Sequence, residues 1–135
     1  MSEESTNYIY AQTCQHGDRF SPSASTSTTP IEYVTGSVRD SREGKGRFDL
    51  LPVFALTEIA KHFEQGGIHY GDRNWEKGQP LSRYLDSALR HTFRYLGGER
   101  DEKHAVAAAW NLLALIETEE RIRKGTLPKE LNDLP

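Results

Sequence analysis

The chain has 135 residues, of which 36% are hydrophobic and 27% are charged, and its formal net charge is -3. This length allows one domain of ordinary size, and the slightly acidic balance excludes a global field that would attract a nucleic-acid polymer. Because Cys14 is the single cysteine, no disulfide can form within the chain, which is typical of a protein from a reducing cytosol.

Residues 1–35 differ in composition from the rest of the chain. The stretch FSPSASTSTTP is rich in Ser, Thr and Pro, and such a segment buries too little apolar surface to fold by itself. The first ten residues lack the features of a signal peptide, and the longest apolar run, AVAAAWNLLALI, is too short to span a membrane. We therefore expect an extended or flexible N-terminal arm that lies against a neighbouring subunit, in a cytoplasmic protein with no membrane partner.

The stretch TGSVRDSREGKGRFDLLP, residues 35–52, is predicted to be a loop that is rich in glycine and cations. Glycine lets backbone N–H groups approach an anion, and arginine side chains match phosphate oxygens, so the loop is a candidate phosphate site. It lacks the GxxxxGK[ST] spacing of a P-loop. Interleaved acids make it nearly neutral, so a solvated loop is the competing interpretation. Its four cations are Arg39, Arg42, Lys45 and Arg47.

Apolar residues at three- and four-residue spacing predict a first helix that starts at Pro52 and stops at Gly66-Gly67. The connector that follows contains HYGDRNWEKG. Its Tyr70, Asn74 and Trp75 would suit a nucleobase, because rings stack on it and an amide reads its edge. Alternatively, Tyr70 and Trp75 fasten the connector to the core.

A second helix is predicted from Leu81 to Gly97-Gly98, and a third from Asp101, as N-cap, to about Lys124. Residues 125–135 form a tail that we expect on the surface. No stretch has strong strand periodicity. The sequence therefore predicts an all-α fold, a small bundle of three main helices in a domain of residues 36–124. Because the third helix is rich in alanine, the core is thin, and we expect a dimer or larger homo-oligomer to complete it.

Two histidines, His91 and His104, are predicted to lie on facing helices of one hairpin, with Asn111 on the same helical ridge as His104. Three interpretations are open: a satisfied polar layer inside the bundle, a polar layer that binds substrate, and a metal site. No spacing matches a strong metal motif such as HExxH. We expect a polar layer that contacts a nucleotide rather than a histidine metal site.

Four stretches together resemble a phage-associated family of small helical proteins, the dATP/dGTP diphosphohydrolase-like family, which is close to the MazG-type all-α nucleotide pyrophosphohydrolases. They are TGSVRDSREGKGRFDLLP, HYGDRNWEKG, DSALRH and DEKHAVAAAWN, and the resemblance covers residues 35 to about 124. It implies a helical oligomer that hydrolyses a nucleoside triphosphate, with Mg²⁺, to the monophosphate and pyrophosphate.

The chain departs from the MazG-type pattern of metal ligands, an ExxE motif on one helix and an ExxD motif on a later one. Its first helix offers Glu58 and Glu64, six residues apart, and its third has His104 and Ala107 where acids would be expected. In their place we expect Glu58 or Asp86 to hold Mg²⁺, and His91 or a carboxylate to orient the attacking water. The residues expected to bind the nucleotide are Arg39, Lys45, Arg47, Tyr70, Asn74, Trp75, Arg90, His104 and Asn111.

Two other functions are compatible with the same residues. The first is a phage protein that binds a nucleotide signal of the host's defence and sequesters it without hydrolysis, which the missing acids favour. The second is a structural oligomer in which the polar layers fix the packing register. Both the nucleotide hydrolase and the sequestering protein would act in the cytoplasm of an infected or lysogenic bacterial host.

Overall fold

The computed structural model of the protein describes residues 29–135, so the part of the predicted N-terminal arm that precedes residue 29 lies outside the described residues. The chain divides into two units at Gly46. Within the described part there are three long helices and two very short strands, which confirms the all-α prediction. The helices are α1 (Val53–Tyr70), α2 (Leu81–Leu96) and α3 (His104–Arg123), and the strands are β1 (Ile31–Glu32) and β2 (Val38–Arg39).

The described part of the first unit contains a small hairpin. Strands β1 and β2 pair antiparallel, with Ile31 opposite Arg39 and Glu32 opposite Val38. At the turn, the Gly36 amide donates to the Tyr33 carbonyl at 2.7 Å, and Gly36 has φ of +79°, a conformation that glycine adopts easily. Strand β1 falls in the predicted N-terminal arm and β2 in the predicted loop of residues 35–52, because strands of two residues are too short to show an alternating pattern.

Helix α1 does not stop at Gly66-Gly67, as predicted, but continues to Tyr70 and ends at Gly71, whose φ is +87°. Glycine weakens a helix interior by about 1 kcal/mol, which a tertiary contact can offset. At Gly67 the chain folds back closely: a Cβ there would lie 2.7 Å from a carboxylate oxygen of Asp72. Gly67 thus serves a close approach, and the helix stops at the next glycine, Gly71.

Helix α2 has the predicted bounds, whereas α3 begins at His104, three residues after the predicted N-cap Asp101. The Asp101 carboxylate accepts a hydrogen bond from the His104 ring instead of capping backbone amides. The two helices pack on each other, and α1 packs on α3. Their core is small and contains Leu81, Tyr84, Ala88, Ala107, Ala108 and Ala114.

The last residues, predicted to be a surface tail, cap helix α2. The Ser82 backbone N–H and hydroxyl donate to the Asp133 carboxylate at 2.9 and 2.5 Å, where the positive end of the α2 dipole favours a negative charge. These bonds hold the pKa of Asp133 below its ordinary value. Leu127 and Leu131, at either end of the segment, lie against Gly78.

Three further short 3-10 helices complete the described chain, at Phe48–Leu50, Asn74–Lys77 and Lys129–Leu131. Between residues 29 and 135, no helix combines the length and the apolar content that crossing a bilayer requires.

We expect Gly78→Ala to destabilise the protein more than Gly98→Ala. Both glycines have positive φ, 78° and 88°, so each alanine costs about 1–2 kcal/mol of backbone strain. Only at position 78 would the new Cβ also meet side chains, Leu131 at 2.8 Å and Leu127 at 2.9 Å, whereas position 98 opens on empty space. Thermal unfolding of both variants measures the difference, and equal melting temperatures would contradict the packing of the C-terminal segment described here.

Candidate functional site

A pocket of about 860 Å³ lies within the second unit, where α1, the connector after it, α2 and α3 meet. Its wall combines aromatic rings, arginines, acids and amides. The lining residues are His62, Phe63, Glu64, Gly66, Gly67, Tyr70, Gly71, Asp72, Arg73, Asn74, Trp75, Gln79, Arg83, Asp86, Ser87, Arg90, His91, Trp110 and Asn111.

Aromatic side chains from three elements form one wall of the pocket. The Phe63 ring meets Trp75 and Trp110 edge to face, with ring centroids 6.0 and 5.8 Å apart. The Arg121 guanidinium lies over the Trp75 ring, 5.1 Å from its centroid. Trp75 thus does fasten the connector to the core, as one interpretation proposed, and it lines the pocket as well. Tyr70, at the end of α1, is 74% exposed and contacts the His69 ring.

Three arginines supply positive charge to the pocket. Arg83, Ser87 and Arg90 follow one face of α2 at helical spacing. Arg90 donates a hydrogen bond to the Ser87 hydroxyl at 3.0 Å, and Arg73 forms a salt bridge with Glu76 at 2.6 Å. Within residues 29–135, the Arg83 guanidinium has neither a hydrogen bond nor a salt bridge. Arg83 and Arg90 can therefore turn towards an anion at little cost.

The acids of the pocket are Glu64, Asp72 and Asp86, one from each of α1, the connector and α2. They balance the three arginines in number. Asp86 is the one carboxylate of the expected metal pair that lines the pocket. This arrangement places carboxylate oxygens, the ligands that Mg²⁺ prefers, in the same cavity as cationic groups that suit phosphate.

Glu58, the other carboxylate expected to hold metal, lies in a different environment. It is buried on α1, accepts a hydrogen bond from Lys61 at 2.8 Å, and forms an ion pair with Lys103 at the start of α3. The hydrogen bond from Lys103, and then that from Lys61, lower the pKa of Glu58 to about 2. Among the described residues that line the pocket, Glu58 is absent. Its charge is already neutralised, and its contact ties α1 to α3.

The histidines meet in a compact cluster beside the pocket. His91 Nδ1 and His104 Nδ1 are 3.1 Å apart, and Glu102 Oε1 lies 3.0 Å from the first and 3.1 Å from the second. His104 Nε2 donates to Asp101 Oδ1 at 2.8 Å. The His104 side chain is completely buried, and that of His91 is 11% exposed. Burial lowers the pKa of His91, which favours its neutral form.

Asn111 lies on the buried face of α3, two helical turns after His104, as the sequence predicted. Its amide nitrogen donates to the Ala107 carbonyl at 2.9 Å, within its own helix. The residue also lines the pocket, so its side chain can contribute to binding there. It is not bonded to the histidine cluster by any contact within the described residues.

The structure brings most of the predicted site residues together and leaves others elsewhere. His104 reaches the pocket only through His91. Arg47 donates to both oxygens of Asp49, at 2.8 and 2.7 Å. Arg39 belongs to β2, and Lys45 lies 3.5 Å from Asp40. The predicted residues that share the pocket are Tyr70, Asn74, Trp75, Asp86, Arg90, His91 and Asn111.

Several pocket residues were not predicted. Arg83 could have been found, because it shares a helical face with Ser87 and Arg90. His62 and Trp110, whose ring centroids are 5.8 Å apart, were given no role in the site from the sequence. They become pocket residues only because α1 packs on α3, which no local pattern reveals.

Comparison with known proteins identifies a family for this chain. The sequence profile of the family described as dATP/dGTP diphosphohydrolase, N-terminal, matches residues 35–127. No curated protein and no solved structure matches the chain.

We expect Glu58→Gln to lower the melting temperature at pH 7, because Lys61 and Lys103 would then face an uncharged partner. The pKa of Glu58 is lowered in the folded state, so its stabilisation is present above its ordinary pKa of 4.5 and is lost as the pH falls towards about 2. The difference from wild type should shrink over that range.

Glu64→Gln is the matched control, since Glu64 is an exposed acid on the same helix. The Glu64→Gln protein should have the melting temperature of the wild type at pH 7 and throughout the acidic range. A Glu58→Gln protein that is as stable as wild type at pH 7 would show that the lysine contacts do not stabilise the fold.

Proposed function

We propose that this chain, which belongs to the dATP/dGTP diphosphohydrolase N-terminal family, binds a purine deoxynucleoside triphosphate in the pocket between α1, α2 and α3. The family description makes nucleotides the ligand class. The observation that carries the proposal is the presence, in one cavity of about 860 Å³, of aromatic rings together with three arginines. Rings suit a base and guanidinium groups suit phosphates.

The base would lie against the aromatic wall. Tyr70 offers an exposed ring, and Trp75 offers the part of its ring that Arg121 and Phe63 do not cover. Asn74 and Asn111 carry amides that can donate to and accept from the edge of a base. A wall of this size favours a purine, whose two fused rings give the larger stacking area.

The phosphates would lie along α2. Arg83 and Arg90 lie on one face of this helix, and neither forms a salt bridge with an acid among the described residues. Their forks can each bind two phosphate oxygens. The phosphate-binding role of Arg39 and Lys45, which belong to the first unit, stays a prediction from the sequence. Arg47 could take such a role only if its pair with Asp49 opened.

The resemblance to nucleotide pyrophosphohydrolases implies Mg²⁺, an ion that one or two carboxylates and several waters can hold. Asp86 would hold it in this pocket; Asp72 and Glu64 also line the pocket, but among the described residues these three acids do not converge on one point. Glu58 fits poorly, because two lysines already neutralise it. When bound, Mg²⁺ would neutralise charge on the phosphate oxygens.

In the proposed reaction, a water oxygen bonds to the α-phosphorus, the bond to the oxygen that bridges to the β-phosphorus breaks, pyrophosphate leaves, and a water proton passes to the group that orients the water. That group would be a pocket carboxylate or His91, whose Nδ1 is engaged with His104 and Glu102 and whose Nε2 is left for the water. Arg83 and Arg90 would stabilise the charge that develops on the phosphates.

A second function is favoured by one observation. The acid quartet of the MazG-type enzymes is missing, and Glu58, the acid nearest to its pattern, is paired with lysines. The pocket could therefore hold a nucleotide without cleaving it. In a phage, such a protein would sequester a nucleotide signal of the host's defence.

We also propose that the chain forms a homo-oligomer. Large apolar side chains stay exposed on both helices of the hairpin, and this surface would favour contact with a second copy. On α2 they are Leu89, Phe93 and Leu96, and on α3 they are Leu112, Leu113 and Ile116.

For the nucleotide site, we expect Arg83→Gln and Arg90→Gln each to weaken binding of dATP or dGTP by about tenfold or more, because each removes a charge-assisted hydrogen bond. Arg123→Gln is the control, since Arg123 pairs with Glu120 outside the pocket. Calorimetric titration measures the affinities. Equal affinity of all three variants and the wild type would place the phosphates elsewhere.

Incubation of the wild type with deoxynucleoside triphosphates, cyclic nucleotides and Mg²⁺, followed by chromatography, separates the two functions. Monophosphate and pyrophosphate are the products expected of hydrolysis. A nucleotide that is bound tightly but recovered intact would instead establish the sequestering function.

For the oligomer, light scattering of the wild type at micromolar concentration should give the mass of a dimer or larger assembly. Ile116→Glu should shift this mass towards the monomer, because it places a charge in the apolar surface. Glu130→Gln, a change of an exposed acid in the C-terminal 3-10 helix Lys129–Leu131 rather than on α2 or α3, should not. A monomeric wild type would refute the proposal.

A further inference from the structure

We propose that His91, Glu102 and His104 form a binding site for a divalent transition-metal ion such as Zn²⁺. The site is separate from the carboxylates to which the proposed function gives Mg²⁺. It does not depend on nucleotide binding, and it uses residues from α2, α3 and the turn between them.

The geometry of the three donor atoms carries the proposal. His91 Nδ1, His104 Nδ1 and Glu102 Oε1 form a nearly equilateral triangle with sides of 3.1, 3.1 and 3.0 Å. Metal–ligand bonds of about 2.0–2.1 Å, at tetrahedral or octahedral angles, put neighbouring donor atoms roughly 2.9–3.4 Å apart. One ion above the triangle can bond all three atoms at this spacing once the two imidazole rings turn towards it, because ring centroids 5.4 Å apart leave the two Nδ1 atoms nearly head-on.

A second carboxylate orients one of the ligands. His104 Nε2 donates its hydrogen to Asp101 Oδ1 at 2.8 Å, which leaves the lone pair of a neutral ring on Nδ1, facing the triangle. A carboxylate bound to the far nitrogen of a histidine is the usual arrangement around metal-ligating imidazoles. Asp101 thus acts as a positioning residue for His104.

The number of protons in the cluster also favours a cation. With its hydrogen on Nε2, a neutral His104 ring has none on Nδ1. A hydrogen on His91 Nδ1 would serve the contacts of that atom but not the contact between His104 Nδ1 and Glu102 Oε1, which are 3.1 Å apart. A single metal ion would satisfy all three donor atoms at once.

The surrounding charges are mixed. Arg90 and Arg94 lie close enough to His91 to oppose a cation. Three acids, Glu99, Asp101 and Glu102, favour a cation at the same place, and Glu99 also pairs with Arg94 at 3.8 Å. Two imidazoles and a carboxylate form a ligand set that suits Zn²⁺, Co²⁺ or Ni²⁺ better than the hard ions Mg²⁺ and Ca²⁺.

The site adjoins the pocket, since His91 also lines the cavity. Three protein ligands leave a metal such as zinc with an open position for water or another ligand. If the proposed function holds, an ion here would add positive charge at the pocket wall and favour a phosphate; this last consequence alone depends on that function.

The test is calorimetric titration of EDTA-treated protein with ZnCl₂ in the absence of nucleotide, together with the visible spectrum after CoCl₂ is added. We expect one ion per chain, a higher melting temperature with zinc, and the absorption bands of Co²⁺ bound to nitrogen and oxygen ligands. Glu102→Gln should weaken zinc binding by at least tenfold, and Glu102 is 47% exposed, so its loss should not unfold the protein.

Asp101→Asn should weaken zinc binding by about 10–100-fold if Asp101 orients His104. Glu119→Gln, an acid elsewhere on α3, is the control and should bind zinc like the wild type. The proposal is overturned if the wild type shows no saturable binding of Zn²⁺ or Co²⁺ at micromolar concentrations, or if Glu102→Gln binds as tightly as wild type. Either result would leave the nucleotide titrations unaffected.

Discussion

The close packing of α2 on α3 is the constraint on which the site depends. Small residues make it possible: Ala88 on one helix, and Ala107, Ala108 and Ala114 on the other, are buried at the contact. Alanine loses little side-chain entropy on burial and lets helix axes approach. The histidines of the two helices can meet at 3.1 Å only because the helices approach so closely. Larger residues at these positions would fill the core better and would separate the rings.

A core built from small residues does not cover the apolar side chains of its own helices, so Leu89, Phe93 and Ile116 stay exposed. The buried residue of α1 is a carboxylate, Glu58, which two lysines hold by ion pairs. Polar contacts therefore carry part of the fold. The ion pair of Glu58 joins α1 to α3, and Asp133 joins the last residues to α2. Each contact thus involves helices that line the pocket: α1 and α3 for Glu58, and α2 for Asp133.

The sequence predicted the helices and the buried ridge of α3 well, because these follow from the spacing of apolar residues. It failed where a contact across the chain decides the local conformation. Gly67 reads as a helix stop but allows the approach of Asp72, and Asp101 reads as a cap but binds a histidine ring. The pocket was predicted in part, on α2 and in the connector. Trp110 and His62 could not be assigned to it, since their role depends on how α1 lies on α3.

The balance of charge in the pocket bears on what it can select. Its three arginines are matched by three acids, so the cavity has no strong net field, in keeping with a chain whose formal charge is -3. A polyanion would gain little from long-range attraction, because the opposite charges of the pocket offset each other and salt screens the remaining field beyond a Debye length of about 8 Å. A compact ligand gains more, since it can place phosphates on the α2 arginines and a bridging cation on the acids. Selection then rests on contacts within the cavity, which favours a single nucleotide over a nucleic-acid strand.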